Sequence, residues 1–300
     1  MIKRTHIRQF LAVVDAGSFT QAALRIRVTQ PALSTGIAEL EKLVGTPLFI
    51  RNRRQIRLTE AGGRFLPIAR DLERGFHTAD RFGRSADSVA TGLKLGTIRS
   101  APGELLQALA TVLRPGFAIE LAESTESDLR SAVGSGRVNM ALLPLRPDER
   151  GPHILPLYEE PLTMFVATDH PLAGRVEVAP EELAAETMIA RRSCEFLDAT
   201  SRFFTRHGVR PRFALRSDSD DRCLRMVAAG VGITTAPVSL AIEGIVPLKV
   251  AGYDFRRELG LILDPAWAEL PEVAPRLTHG LETIASIAAD WREMKVEGAA

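Results

Sequence analysis

The sequence is poor in cysteine. Its 300 residues include only Cys194 and Cys223, too few and too far apart for a disulfide framework or a C-x-x-C zinc or redox motif. The six histidines (His6, His77, His153, His170, His207 and His279) are scattered without the spacing of a metal site. No run of 18 apolar residues exists, which argues against a transmembrane helix. The opening MIKRTHIRQFLAVVDAG is basic at its start, but its short apolar part is broken by Arg8, Gln9 and Asp15. It reads as an amphipathic helix rather than a signal peptide, so a cytoplasmic protein is expected. A Gly-x-Ser-x-Gly elbow is also missing. The segment AAGVGITTAP has Gly230 and Gly232 but lacks the third glycine of a dinucleotide fingerprint, and no clear helix follows it. These absences leave no catalytic motif, and we expect neither an enzyme nor a bound cofactor or metal.

What the sequence does contain is unevenly distributed. Residues 1–85 carry 15 Lys and Arg against 7 Asp and Glu, whereas the remainder carries 23 against 30. A basic block on an acidic body points to an anionic partner for that block alone. Three hundred residues also exceed what one compact core usually serves, so two or three domains are expected.

Within the basic block, Ile7, Phe10, Leu11 and Val14 repeat at helical spacing up to Gly17. Ser18 starts a short second helix carrying Ala22, Ala23 and Ile26, and a third runs from about Gln30 to Val44 and stops at Gly45. This is a helix-turn-helix pattern. Thr29 suits an N-cap, and Pro31 fits the first turn because its missing N–H would have no helical partner there. Gln30, Ser34 and Thr35 then project from the end that enters the major groove in helix-turn-helix proteins. Next comes RNRRQIRLT, with Arg51, Arg53, Arg54 and Arg57 and an alternation of Ile56 and Leu58. It reads as an arginine-rich wing able to hold phosphates or enter the minor groove. Residues 60–90 read as one long helix. Phe65, Ala69, Leu72, Phe76 and Ala79 form a heptad seam suited to pairing two chains, with Phe82 extending it and Gly75 and Gly83 weakening it.

The text FLAVVDAGSFTQAALRIRVTQPALSTGIAELEKLVGTPLFIRNRRQIRLTEAG resembles the LysR-type transcriptional regulators over about sixty residues. The remaining layout resembles that family over essentially the whole chain. The resemblance puts Thr29, Gln30, Pro31 and Ser34 at DNA-contacting positions and Arg53 or Arg54 on the wing. One departure stands out. Many members have a basic or large polar pair after the helix serine, whereas this chain has Thr35-Gly36, and Gly36 brings no side chain to the bases.

From Gly92, short apolar strands alternate with helices: LKLGTI, AIELAE, VNMALLPL, PLTMFVAT, TMIA, RFALRS, GITTAP and RELGLIL. That alternation implies α/β architecture with parallel sheets and a ligand site at strand C-terminal ends. The resemblance implies two subdomains joined by two crossing strands, as in periplasmic solute-binding proteins. The whole is then an α+β multidomain chain. Residues 1–59 form a winged helix-turn-helix, 60–90 a linker and dimerisation helix, and 91–300 an effector domain. Subdomain I takes about 92–163 and 266–292, and subdomain II about 164–265. Candidate effector residues are Arg99, Ser100, Ala101, Ser124, Thr125, Pro144, Arg191, Arg192, Ser193 and Thr234. Ser100 and Thr125 offer hydroxyls, and Arg192 offers a partner for a carboxylate.

The expected partners are a double-stranded DNA operator, a small-molecule effector with carboxylates as the first candidates, RNA polymerase, and further copies of the chain as a homodimer or homotetramer. Another reading is a thiol redox sensor, because Cys194 lies beside two arginines and an expected helix start. Peroxide-sensing relatives carry a second cysteine a few residues on, whereas here the next is Cys223. A pure solute-binding protein would need neither the basic block nor a wing.

Overall fold

The computed structural model describes residues 1–52, 55–81 and 92–292. Helix α1 (Arg4–Ala16) ends where Gly17 turns left-handed at φ 60° and its N–H reaches the Val13 carbonyl. Helix α2 (Phe19–Arg25) is capped by the Ser18 hydroxyl. The turn that follows carries Arg27 at φ 57°, a conformation rare for a side-chain-bearing residue. Helix α3 (Gln30–Val44) starts at the Thr29 cap and stops at Gly45, φ 82°. Strands β1 (Phe49–Asn52) and β2 (Gln55–Leu58) pair antiparallel. Phe10 binds these pieces together, with ring centroids 5.2 Å from Phe49 and 5.1 Å from Phe65. The Glu41 carboxylate accepts the Leu48 and Phe49 N–H groups at 2.8 and 3.2 Å, which fixes the hairpin to α3.

Helix α4 (Glu60–Arg81) divides the seam expected to face a second chain. Phe65 and Ala69 are buried in the winged core, because the first turns of α4 pack on α1. Leu72 and Phe76 stay exposed, and Ile68 joins them in an exposed stripe. Residues 82–90, with Phe82 and Gly83, lie outside the described residues.

The C-terminal body has two sheets and separate cores. In the first, β3 (Gly92–Ile98) lies parallel between β4 (Ala118–Ser124) and β5 (Met140–Leu145), and helices α5 (Gly103–Leu113) and α6 (Glu126–Gly134) connect these strands. Two long strands continue the sheet antiparallel: β6 (Ile154–Ala167) and a later strand, Arg256–Leu263, which pairs with both β5 and β6.

The second half of β6 enters the second unit. There it pairs with Thr234–Pro237 and Ile245–Leu248, both antiparallel. In chain order this unit adds β7 (Thr187–Arg191), α7 (Leu197–Arg206), β8 (Arg212–Ser217), α8 (Asp220–Ala228), β9 (Thr234–Pro237) and β10 (Ile245–Leu248). Arg256–Leu263 is β11. After it, α9 (Pro265–Ala268) and α10 (Ala274–Arg292) return to the first unit, where Trp267, Leu277 and Ile284 join its core.

One expectation is corrected. The large sheet is mixed, because the crossing strands β6 and β11 run against their neighbours, while β3, β4 and β5, and separately β7 and β8, are parallel. Along its length β11 pairs with β5 and the first half of β6. The glycines weighed as a nucleotide fingerprint have structural uses. Gly230 takes φ 71° after α8, and a Cβ on Gly232 would strike the Thr187 carbonyl.

Candidate functional site

Helix α3 is two-sided. Leu33, Ile37 and Leu40 are fully buried, while Thr29, Gln30, Pro31 and Thr35 are exposed, and Ser34 is partly exposed. The Thr29 hydroxyl accepts the Ala32 N–H at 3.3 Å, so its role here is to fix where the helix begins. The open face is therefore polar and backed by the first-turn N–H groups of the helix, a surface suited to base edges and phosphates. Gly36 is not on it. It is buried against α1, where a Cβ would collide with the end of the Gln9 side chain. The missing side chain thus serves helix packing and takes nothing from the outer face. On the hairpin, Arg57 is exposed. Arg53 and Arg54 lie outside the described residues, as does the side chain of Arg51.

Between the two α/β units lies a cleft of about 550 Å³. Its lining includes Arg99, Ser100, Ser124, Thr125, Arg192 and Ser193 from the expected set. Sequence reading missed the other charged groups there: Glu126, Arg146, Glu195 and Asp218. Thr125 caps α6, its hydroxyl accepting the Asp128 N–H at 3.2 Å, and Ser124 donates to the Asp128 carboxylate. Both are thus fixed in place at the mouth of the cleft. Arg99 and Arg192 approach Asp218 from opposite walls, each at 3.9 Å.

Four expected residues lie elsewhere. Arg191 is buried, donating to Asp220 and to the Thr235 carbonyl. Thr234 is buried, and its hydroxyl donates to the Ile189 carbonyl at 2.7 Å. Both border a small separate cavity behind β7. Pro144 is held in β5, where its carbonyl accepts from Arg130, and Ala101 packs on the first core.

The floor of the cleft is a buried charge network. Arg257 on β11 donates to Glu160 on β6 at 2.8 Å, and to the Ser100 hydroxyl and carbonyl at 3.0 Å each. It also donates to Glu195, which follows β7. The Ser100 hydroxyl donates to the two Glu195 oxygens at 2.9 and 3.0 Å. Burial pushes the Glu195 carboxyl up, but the Arg257 charge and the hydrogen bonds it accepts outweigh this and hold it below the usual carboxylate range. The available sequence signal was charge inside two crossing strands, Glu159 and Glu160 in β6 and Arg256, Arg257 and Glu258 in β11, which are too far apart in sequence to be paired by eye.

Cys194 also borders the cleft, but burial pushes its thiol up and the nearby Arg191 does not reverse this. That is the opposite of an activated thiolate, and it counts against the redox-sensor alternative, for which neighbouring arginines would have to lower the thiol. Both cysteines are free and buried.

Helix α6 also touches the winged domain. Its Ser131 donates to Asp15 of α1 at 2.5 Å, and its Asp128 pairs with Arg25 of α2. The helix that begins at the cleft thus ends its contacts on the helix-turn-helix.

Comparison with known proteins accounts for both halves. The family model described as a bacterial regulatory helix-turn-helix protein of the lysR family matches residues 5–63, and the LysR substrate binding domain matches 86–274. The HTH-type transcriptional regulator CatR of Pseudomonas putida is 30% identical over 78% of this chain and 82% of its own. The Hca operon transcriptional activator HcaR of Escherichia coli is 28% identical over 77% of this chain and 80% of its own. A point mutant of full-length BenM superposes with a TM-score of 0.51 at 25% identity, covering 96% of this chain and 97% of that one. With a helix-turn-helix at one end and a two-unit cleft domain at the other, this chain belongs to the LysR family of transcriptional regulators.

Proposed function

We propose that the first turn of α3 reads an operator in the major groove, that the wing arginines hold the flanking phosphates, and that two chains pair through α4. The observation that carries this is the division of α3 into a buried apolar face and an outer face on which Thr29, Gln30, Pro31 and Thr35 are exposed. Two chains about a two-fold axis would favour partly palindromic DNA with half-sites one helical turn or a multiple apart. A tetramer would be two such pairs. The protein is then a cytoplasmic regulator without catalytic activity, and a small molecule in the cleft between the α/β units shifts how the DNA-binding pairs are set. Selection from random duplex DNA tests the reading. Gln30→Ala should cost roughly 1–3 kcal/mol on the selected operator and little on unrelated DNA. Equal loss on both would remove Gln30 from base reading. For the cleft, a thermal-shift screen of the full chain against organic acids and other metabolites should find a stabilising ligand.

A further inference from the structure

The carboxylate of Glu195 sits in a place built to bind an anion. Ser100 is wholly buried, as is the Arg257 side chain; the Ser100 hydroxyl reaches both Glu195 oxygens, and Arg257 donates to one of them, Oε1. A hydroxyl and a guanidinium converging on one carboxylate is the arrangement used to hold a free acid. Here the acid belongs to the protein. It also crosses the cleft: Ser100 comes from the first unit, Arg257 from the crossing strand, and Glu195 from the second unit. The charge count sets Glu195 apart from its neighbour. Arg257 is already neutralised by Glu160, whose side chain is fully buried beside it. Glu195 is the second carboxylate on one guanidinium, reaches the cleft, and can leave without stranding a buried charge.

We propose that Ser100 and Arg257 form a carboxylate subsite that Glu195 occupies as a tethered stand-in, so that a monocarboxylate ligand enters by exchanging with it. This rests on the reading of the cleft as the effector site and names the chemistry of its floor. The exchange replaces one carboxylate by another, so the charge of the site is conserved. It also breaks one direct tie between the two units, leaving the body of the ligand to span them there. Because Glu195 is tethered, its effective concentration is high, and free carboxylates compete poorly in the unaltered chain.

The test is a titration of the full chain with sodium acetate against sodium chloride at matched ionic strength, read as melting temperature. Glu195→Ala leaves the Arg257–Glu160 pair intact and opens the subsite. It should gain a saturable acetate-specific rise, with an affinity at least about tenfold above that of the unaltered chain. Adding Ser100→Ala should abolish the gain. Glu195→Ser opens the same space with a polar side chain and repeats the test if the alanine variant folds poorly. An acetate response no greater than that of the unaltered chain, or one that survives Ser100→Ala, overturns the proposal. Either result leaves the metabolite screen above to judge the cleft itself.

Discussion

Arg191 and Asp220 form an ion pair almost closed to solvent, with the guanidinium donating to both carboxylate oxygens at 2.8 and 2.5 Å. The pair joins the end of β7 to the start of α8, and Ser193 adds a third bond to the same carboxylate at 3.0 Å. Burial disfavours the charge on Arg191, but Asp220 outweighs it and the guanidinium pKa is raised. Removing one member would leave the other charged and buried. Arg191→Ala should therefore destabilise the chain by about 3–5 kcal/mol. Arg192, the next residue, is mostly exposed, and Arg192→Ala should change stability by only about 0.5 kcal/mol or less. Denaturant midpoints of the two variants check this, and equal effects would sink the distinction between a buried brace and a cleft-wall charge.

The Glu195 network makes stability depend on pH. Its carboxyl is held below its ordinary value near 4.5, so it binds a proton less readily folded than unfolded. A depressed acid contributes stability that is fully present above the unfolded value and is lost as pH falls through the folded one. The groups facing Glu195 are Arg257 on β11, Ser100 after β3, Glu160 on β6 behind Arg257, and Arg191 and Cys194 beside it. The unaltered chain should melt above Glu195→Gln at neutral pH, and that advantage should shrink as pH falls below about 4.5. A melting difference unchanged between neutral and strongly acid pH would show that Arg257 does not favour the ionised form.

How much could be read beforehand depended on how local each signal was. The bounds of α3 follow from Thr29, Pro31 and Gly45, all within a turn of the ends they set, and the structure places them there. Strands such as RFALRS are short apolar alternations that carry their own boundaries. Long-range pairing was not legible. Nothing near Arg191 marks it as buried, because Asp220 is 29 positions away. Glu160 and Arg257 meet across 97 positions, and their strands read simply as core. Gly36 looked like a gap in the DNA-facing surface because helical position alone does not say which face α1 covers. The α4 seam is apolar and periodic in the sequence, yet Phe65 and Ala69 serve the chain's own core.

That division of α4 sharpens the dimer proposal. Phe65 and Ala69 are committed to the winged core, leaving Ile68, Leu72 and Phe76, 54%, 42% and 38% exposed, at spacings of four along one face. Arg4 lies over the Phe76 ring at 5.1 Å and is itself held by Glu73 and Asp80, so the lower part of the stripe is backed by ion pairs. Such a stripe on a 22-residue helix suits a second copy of itself. Across a two-fold axis a single substitution acts twice. Leu72→Glu removes an apolar contact of about 1.5–3 kcal/mol from each chain and sets like charges facing one another. Leu72 lies outside the winged core, so the monomer should keep its fold and circular dichroism. Sedimentation equilibrium should then show the dimer dissociation constant raised at least about tenfold, since about 1.4 kcal/mol alone is a factor of ten. An unchanged constant would move the interface off this face of α4 and onto the residues beyond Arg81 or the effector domain.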